Sequence, residues 1–270
     1  MHRFYTRVCN FYYGDRSKSL VKKKETLPLN GNKELSFDQI QIISRKYKKR
    51  ISIKELNKLP KLIKKQVTVD LKKITSKKKN FSNLNFKKIP NIMGVLNLTP
   101  DSFSDGGKFN IKDKGTRHAM HMFKLGANLV DVGGESTRPG SKPITTKLEW
   151  NRIEKTLKRI SKKIPISLDT RKSEIMKKGI KNGVKLINDI SGLSYDNSTM
   201  NILKKYKIPF VVHHSQGIPE NMQNKPKYKN ELLDIYDFFE KKIKLLRLLG
   251  VKHNNIIIDP GIGFGKNLKH

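Results

Sequence analysis

Asn91-Ile-Met-Gly-Val-Leu-Asn-Leu-Thr-Pro-Asp-Ser-Phe-Ser-Asp-Gly-Gly107 opens as an apolar run and breaks at Thr99-Pro100 into a loop of hydroxyls, carboxylates and glycines. A short apolar run bounded by Pro and Gly reads as a buried strand feeding a loop. The loop holds one aromatic, Phe103, among its polar groups. In an α/β barrel that junction is where chemistry is placed.

Working downstream, the same pattern repeats. Strands are expected at 92–98, 129–132, 164–168, 186–190 and 209–213, with a sixth opening Ile256-Ile-Ile-Asp-Pro-Gly261. Helical periodicity falls between them, at 112–125, 146–161, 174–182, 198–206 and 232–249. Short strands alternating with helices predict a parallel sheet. The repeat matches the spacing of about 250 residues over eight βα units, so the expected fold is α/β, a (β/α)8 TIM barrel. A doubly wound sheet is the alternative. From Asn91 onward the chain holds six such units, and a full barrel would need roughly 70 residues more. The barrel is therefore expected to be incomplete, with the chain a partial sequence.

Working upstream, residues 1–90 carry no chemical motif and are expected to form a small basic extension of unknown role. Phe4, Tyr5, Phe11, Tyr12 and Tyr13 cluster around Cys9, and Asn30-Gly31 suggests a tight turn. Residues 35–43 and 53–63 have helix-compatible apolar spacing, the second interrupted by Pro60. Ser76-Lys-Lys-Lys-Asn-Phe-Ser82 reads as a solvated basic connector to the barrel, which begins at 91.

The net charge is +35, enough to attract nucleic acid, an anionic membrane or a phosphorylated substrate. Residues 1–90 hold 25 basic against 6 acidic residues, so more than half the excess lies outside the barrel. The lysines are scattered and not interleaved with aromatics as a base-stacking surface requires, so nucleic acid is not the expected partner. Lys, Asn and Ile are abundant throughout, as an AT-rich genome would produce. A hydrophobic content of 36% suffices for a core. Cys9 is the only cysteine, which excludes an internal disulfide and a cysteine-based metal site. No apolar run approaches the roughly 18 residues of a membrane span, and the expected location is cytoplasmic.

The polar groups at the expected strand ends are Asn97, Arg138, Asp169, Asn188, His213 or His214, and Asp259, and in a barrel they converge on one mouth. Asp169, Asn188 and Asp259 offer acceptors and donors to a flat heterocycle with an amide-like edge. The adjacent histidines point to opposite faces of a strand, which argues against a shared metal ion. Gly261-Ile-Gly-Phe-Gly-Lys-Asn267 lacks the spacing of a nucleotide-phosphate loop. It reads as the turn after the sixth strand, with Phe264 at the mouth.

These residues carry a resemblance. Gly94-Val-Leu-Asn-Leu-Thr-Pro-Asp-Ser-Phe-Ser-Asp-Gly-Gly107 and Asp131-Val-Gly-Gly-Glu-Ser-Thr-Arg-Pro-Gly140 resemble the two signatures of the dihydropteroate synthase family. Ser167-Leu-Asp-Thr170, Ile187-Asn-Asp189 and Asp259-Pro-Gly-Ile-Gly-Phe-Gly-Lys-Asn267 follow in the family's order, so the resemblance covers 91–270. It implies an enzyme that joins 6-hydroxymethyl-7,8-dihydropterin diphosphate to 4-aminobenzoate, giving dihydropteroate and pyrophosphate.

It further implies that Asn97 is a ligand of Mg2+, that Asp169, Asn188 and Asp259 hold the pterin, and that Phe264 borders it. Asp101, Phe103 and Ser104 are placed on a first closing loop, and Thr137, Arg138 and Pro139 on a second; Asp101, Phe103 and Arg138 are the catalytic candidates. A homodimer is implied. The chain departs from the pattern at His213-His-Ser-Gln-Gly-Ile-Pro219, where His213 and Ser215 stand in place of methionines. The family's Ser-Arg-Lys and Arg-x-His motifs on the last two strands are absent from the sequence. A pterin-binding methyltransferase of the same barrel type and a non-catalytic pterin- or nucleic-acid-binding protein remain as alternatives.

Overall fold

The computed structural model describes residues 3–77, 91–99, 113–136, 138, 140–216 and 227–266. The chain divides into two compact units, Met1–Lys79 and Asn80–His270.

The first unit is an antiparallel sheet with its own core. Strand β1 (Tyr5–Tyr13) is followed by α1 (Gly14–Lys22), β2 (Leu27–Leu29), β3 (Asn32–Ile43), β4 (Lys48–Ser52), a 3-10 turn (Ile53–Lys58) and α2 (Lys61–Thr75). β3 pairs with β1 along one edge and with β2 and β4 along the other. Asn30 and Gly31, both at positive φ, make the two-residue turn between β2 and β3. The helix-compatible spacing at 35–43 is overturned: those residues belong to β3. Ile40 and Ile42 are buried on one face, and Gln41 and Ile43 on the other. Burial on both faces erases the period-two signal that marks a half-exposed strand. The β-branched run is what favours the strand. Within 53–63 the chain first makes the 3-10 turn, capped reciprocally by Ser52 and Glu55; the helix begins only after Pro60, which cannot donate within a helix interior.

The second unit alternates strand and helix. Its elements are β5 (Met93–Asn97), α3 (Lys114–Lys124), β6 (Leu129–Gly133), α4 (Thr146–Ile160), β7 (Ile166–Asp169) and α5 (Ser173–Lys181). They continue with β8 (Leu186–Asp189), α6 (Thr199–Tyr206), β9 (Phe210–His213), α7 (Glu231–Leu248) and β10 (Ile256–Asp259). The six strands are parallel and lie in strict chain order from β5 to β10. A doubly wound sheet reverses order at a switch point, whereas a barrel adds each strand on the same side. The order therefore selects the TIM-barrel-like arrangement, with six parallel strands among the described residues.

One face of the sheet packs on the helices. Leu96, Val130, Val132, Ile166, Leu168, Ile187, Phe210 and Val212 join helix residues in the main core. α4 shows how the sequence achieves this. Trp150, Ile153, Leu157 and Ile160 recur at helical spacing and are buried, while the Thr145 side chain accepts from Leu148 N to cap the first turn. Leu129, Leu186 and Val211 form a smaller apolar layer of their own, with Ile257 packed against it. Register places Leu186 beside Ser167 and Val211 beside Ile257, on the face opposite the helices. That face carries the polar strand ends.

Candidate active site

Register alone aligns one row of the concave face: Asn97 opposite Gly133, Gly133 opposite Asp169, and Asp169 opposite Asn188. Gly133 keeps the middle of this row open. A Cβ there would lie 3.3 Å from Asp169 Oδ2 and 3.4 Å from Asn97 Oδ1, so both oxygens flank the space above it. His213, two residues beyond the Asn188 partner Val211, pairs with Asp259.

Curvature then draws side chains of this face together. Asn188 Nδ2 donates to Asp131 Oδ2 at 2.8 Å, from β8 to β6 across the intervening β7. Two strand spacings of a flat sheet separate such residues by about 10 Å. The contact requires a concave sheet, with the small side chain Ser167 between them on β7 in register with Asp131. Asp131 was missed as a site residue in the sequence, where it is only the first residue of a glycine-rich motif. The signal for it is its in-phase position with Asn97 and Asp169 on the strand pattern.

The electrostatics of this face are adverse to ionised carboxylates. Burial raises Asp131, against the opposing pull of the nearby Ser167 hydroxyl and the Asn188 amide. Asp169 is raised well above its usual range, first by burial and then by the charges of Asp131, Glu149, Asp189 and Glu135. Among the described residues Asp131 Oδ1 is buried without a hydrogen-bond partner, which leaves an acceptor open on this face.

The far wall is built by the Gly-rich turn. Gly261 N donates to Asp259 Oδ1 at 2.8 Å. Gly261 has φ +64°, and a Cβ on it would meet His214 O at 2.2 Å and His213 Nε2 at 2.7 Å, so only glycine fits. His213 Nδ1 lies 3.0 Å from Ile190 O; a carbonyl can only accept, so Nδ1 carries the proton. Burial lowers the His213 pKa, and the neutral ring stands edge-on to Phe264, 4.7 Å between centroids.

His214 turns the other way, against Phe238, and burial together with Lys266 pushes it down to about 4. Lys266 was not anticipated from the sequence. Its ammonium donates to Gly261 O and Phe264 O, both at 2.9 Å, and so ties the turn together.

Register sets Asn97, Asp169 and Asn188 in one row, and on the same face Asp259 pairs with His213, whose ring meets Phe264. Arg138 is exposed, its carbonyl accepting from Ser141 N at 3.1 Å. Asp101, Phe103, Ser104, Thr137 and Pro139 lie outside the described residues.

A chain-ordered parallel α/β sheet with polar residues at the carboxyl ends of its strands defines a TIM-barrel-like protein. The chain belongs to the pterin binding enzyme family, whose model matches residues 93–270. Among similar proteins, the dihydropteroate synthase of Clostridium beijerinckii is 43% identical over 177 residues, covering 65% of this chain and 63% of that protein. The Escherichia coli dihydropteroate synthase is 38% identical over 183 residues, covering 67% and 64%.

Among solved structures, the Yersinia pestis dihydropteroate synthase in a sulfonamide drug complex superposes with a TM-score of 0.64 at 39% identity, covering 67% of this chain and 66% of that one. The Burkholderia cenocepacia enzyme complexed with 7,8-dihydropteroate gives 0.59 at 34% identity, covering 68% and 62%. The chain spans a little under two thirds of the length of the curated relatives it matches.

Proposed function

We propose that residues 91–270 are the pterin-binding part of a dihydropteroate synthase in folate biosynthesis, joining 6-hydroxymethyl-7,8-dihydropterin diphosphate to 4-aminobenzoate. The observation that carries this reading is the concave row Asn97–Gly133–Asp169–Asn188, with the Asn188 amide bonded to Asp131 on the same face. Asp169 and Asp259 accept from the ring amino and N–H groups of the pterin. Asn188 is held by Asp131, so its amide oxygen faces the ligand.

In the reaction the pterin methylene–oxygen bond breaks and diphosphate leaves with the bonding pair. The arylamine nitrogen then forms the new carbon–nitrogen bond and gives up a proton. Carboxylates around the ring stabilise the positive charge that develops on the pterin. Arg138, with its forked guanidinium, is assigned to anionic oxygens of the substrates, and Phe103 and Asp101 to the loop that closes over the arylamine.

Asn97 is the residue assigned to magnesium. Its half-buried amide oxygen beside Asp169 Oδ2 suits a hard cation. Among the described residues no group of three His, Cys, Asp or Glu could hold a metal ion, so Asn97 would be this chain's contribution to such a site. When bound, the ion neutralises charge on the leaving diphosphate. The assembled enzyme is assigned as a cytoplasmic homodimer; no helix among the described residues is long and apolar enough to cross a membrane.

The direct test is calorimetric binding of the pterin diphosphate to the full chain, followed by an assay for 4-aminobenzoate-dependent pyrophosphate release. Saturable binding supports the reading, and no binding at millimolar ligand sinks it. His213 offers a narrower check. His213→Met is expected to cost about 1 kcal/mol of stability in urea denaturation, through the lost hydrogen bond to Ile190 O. The pterin diphosphate dissociation constant should stay within about threefold, because a methionine fills the same wall. A loss of binding in this variant contradicts the assignment of His213 as wall rather than ligand.

A further inference from the structure

We propose that Lys172 is a positioning residue, fixing the base of the loop that presents Arg138 against the turn that follows Asp169. Lys172 Nζ donates to Glu135 Oε1 at 2.7 Å and to Glu149 Oε2 at 2.6 Å. Arg171 Nε donates to Glu135 Oε2 at 2.9 Å, and Thr170 Oγ1 to Glu149 Oε1 at 2.5 Å. Glu135, Glu149, Arg171 and Lys172 are 7%, 0%, 6% and 6% exposed. Two negative and two positive side chains thus neutralise one another out of water.

Three elements meet in this cluster. Glu135 comes from the loop after β6, Glu149 from α4, and Thr170 to Lys172 from the turn after β7. Glu135 also closes its own loop, because Oε1 accepts from Ile144 N at 2.9 Å, nine residues on. Ser141 Oγ donates to Ser136 O at 2.8 Å within the same loop. Arg152 Nη1 holds Gly134 O at 2.9 Å from the helix side. Gly134 sits so close to α4 that a Cβ would lie 2.8 Å from Glu149 O. The loop is therefore seated on α4 and strapped to the β7 turn.

Burial pushes Glu149 up, offset only in part by Lys172 and Thr170. Burial pushes Glu135 the same way, but Lys172, the Ile144 amide and Arg171 hold it below its usual value. Buried ion networks of this kind contribute little net stability over an apolar replacement, while loss of one partner is costly. What this one supplies is register between the loop and the turn: Arg138 lies three residues beyond Glu135, and Asp169 three residues before Lys172.

The catalytic consequence rests on the dihydropteroate synthase reading, whereas the ordering of the loop does not. The experiment is hydrogen exchange on the full chain, comparing wild type with Lys172→Met and with the charge-balanced E149Q/K172M. The second variant leaves Glu135 paired with Arg171, so no buried charge is stranded, and it guards against simple unfolding. The Ser141 and Ile144 amides are expected to exchange at least about tenfold faster in both variants, while the β6 and β7 amides keep their protection.

Lys172→Arg is expected to restore the loop rates. In turnover, KM for 4-aminobenzoate should rise by at least about tenfold, within the roughly 100-fold that a 1 Å misplacement can cost. The dissociation constant of the pterin diphosphate should stay within about threefold. Wild-type exchange at Ser141 and Ile144, or equal acceleration of the loop, β6 and β7, overturns the proposal. A wild-type chain without aminobenzoate-dependent turnover overturns the synthase reading instead, and the exchange rates still decide whether Lys172 sets the loop.

Discussion

Asp169→Asn is expected to weaken binding of the pterin diphosphate by more than about 100-fold and at the same time to raise the melting temperature. The first effect follows from the ligand's needs. A carboxylate accepts two hydrogen bonds with both oxygens, and charge-assisted bonds contribute about 1.5–3 kcal/mol each. The isosteric amide turns an N–H toward ring N–H groups, so one bond is lost and one donor is left facing another donor.

The second effect follows from burial and from the acids around Asp169. Asp169 is raised well above its ordinary value by burial and by four neighbouring acidic groups, Asp131, Glu149, Asp189 and Glu135. A carboxyl whose folded pKa is raised adds stability fully below its unfolded pKa, near 3.8. That contribution is lost as pH climbs towards the folded value. At neutral pH the carboxyl is thus a net cost to the fold, which the amide removes. Each 1 kcal/mol recovered moves the melting temperature of a protein this size by about 2–4 °C. Calorimetry and thermal melts at pH 7 read both quantities. Retained affinity dismisses Asp169 as a pterin ligand, and a lowered melting temperature contradicts the electrostatic account.

The divided outcome for Asp169 shows which parts of this molecule are legible in a linear sequence. The six strands of the second unit are legible because each is an apolar run ending in a polar residue, and alternation with helices forces them parallel. Asn97, Asp169, Asn188 and Asp259 are legible for the same reason, since phase along a strand fixes the face. Asp131 shares that phase but lies one turn of the pleat before the strand end, and what ties it to the row is a bond to Asn188, 57 residues away, made possible by sheet curvature. Glu135, Glu149 and Lys172 are hidden more deeply: charged residues on a loop, a helix and a turn read as solvated until the fold buries them together. β3 failed for the opposite reason, as its two buried faces left no alternation to read.

Asp189 gives the second large effect, and here the sign is carried by pH. Its carboxyl is fully buried on the helix-facing side of β8, register partner of Val212. Burial pushes it up to about 6, against the Ser191 hydroxyl and amide, the Leu193 amide and the charge of Lys242. The unfolded chain returns it to about 3.8. Its contribution to stability is therefore complete below the unfolded value and falls away as pH rises through the folded one. The stability of wild type minus that of Asp189→Asn should become less favourable by about 2 kcal/mol between about pH 4.5 and pH 7.

Taking the difference matters. Any fixed cost of placing an amide beside the Ser191 donors, which reach Asp189 Oδ1 at 2.8 and 2.6 Å, is the same at both pH values and cancels. Every other titrating group cancels too, except those that sense the Asp189 charge directly, Asp169 among them. Asp189 charging also raises Asp169, so coupling between the two adds to the pH slope in the same direction. Urea denaturation of both proteins across this range supplies the measurement. A difference that stays flat places Asp189 ionised in both states, as a solvated carboxylate would be. A difference that grows more favourable with pH means that Lys242 and the Ser191 bonds outweigh burial.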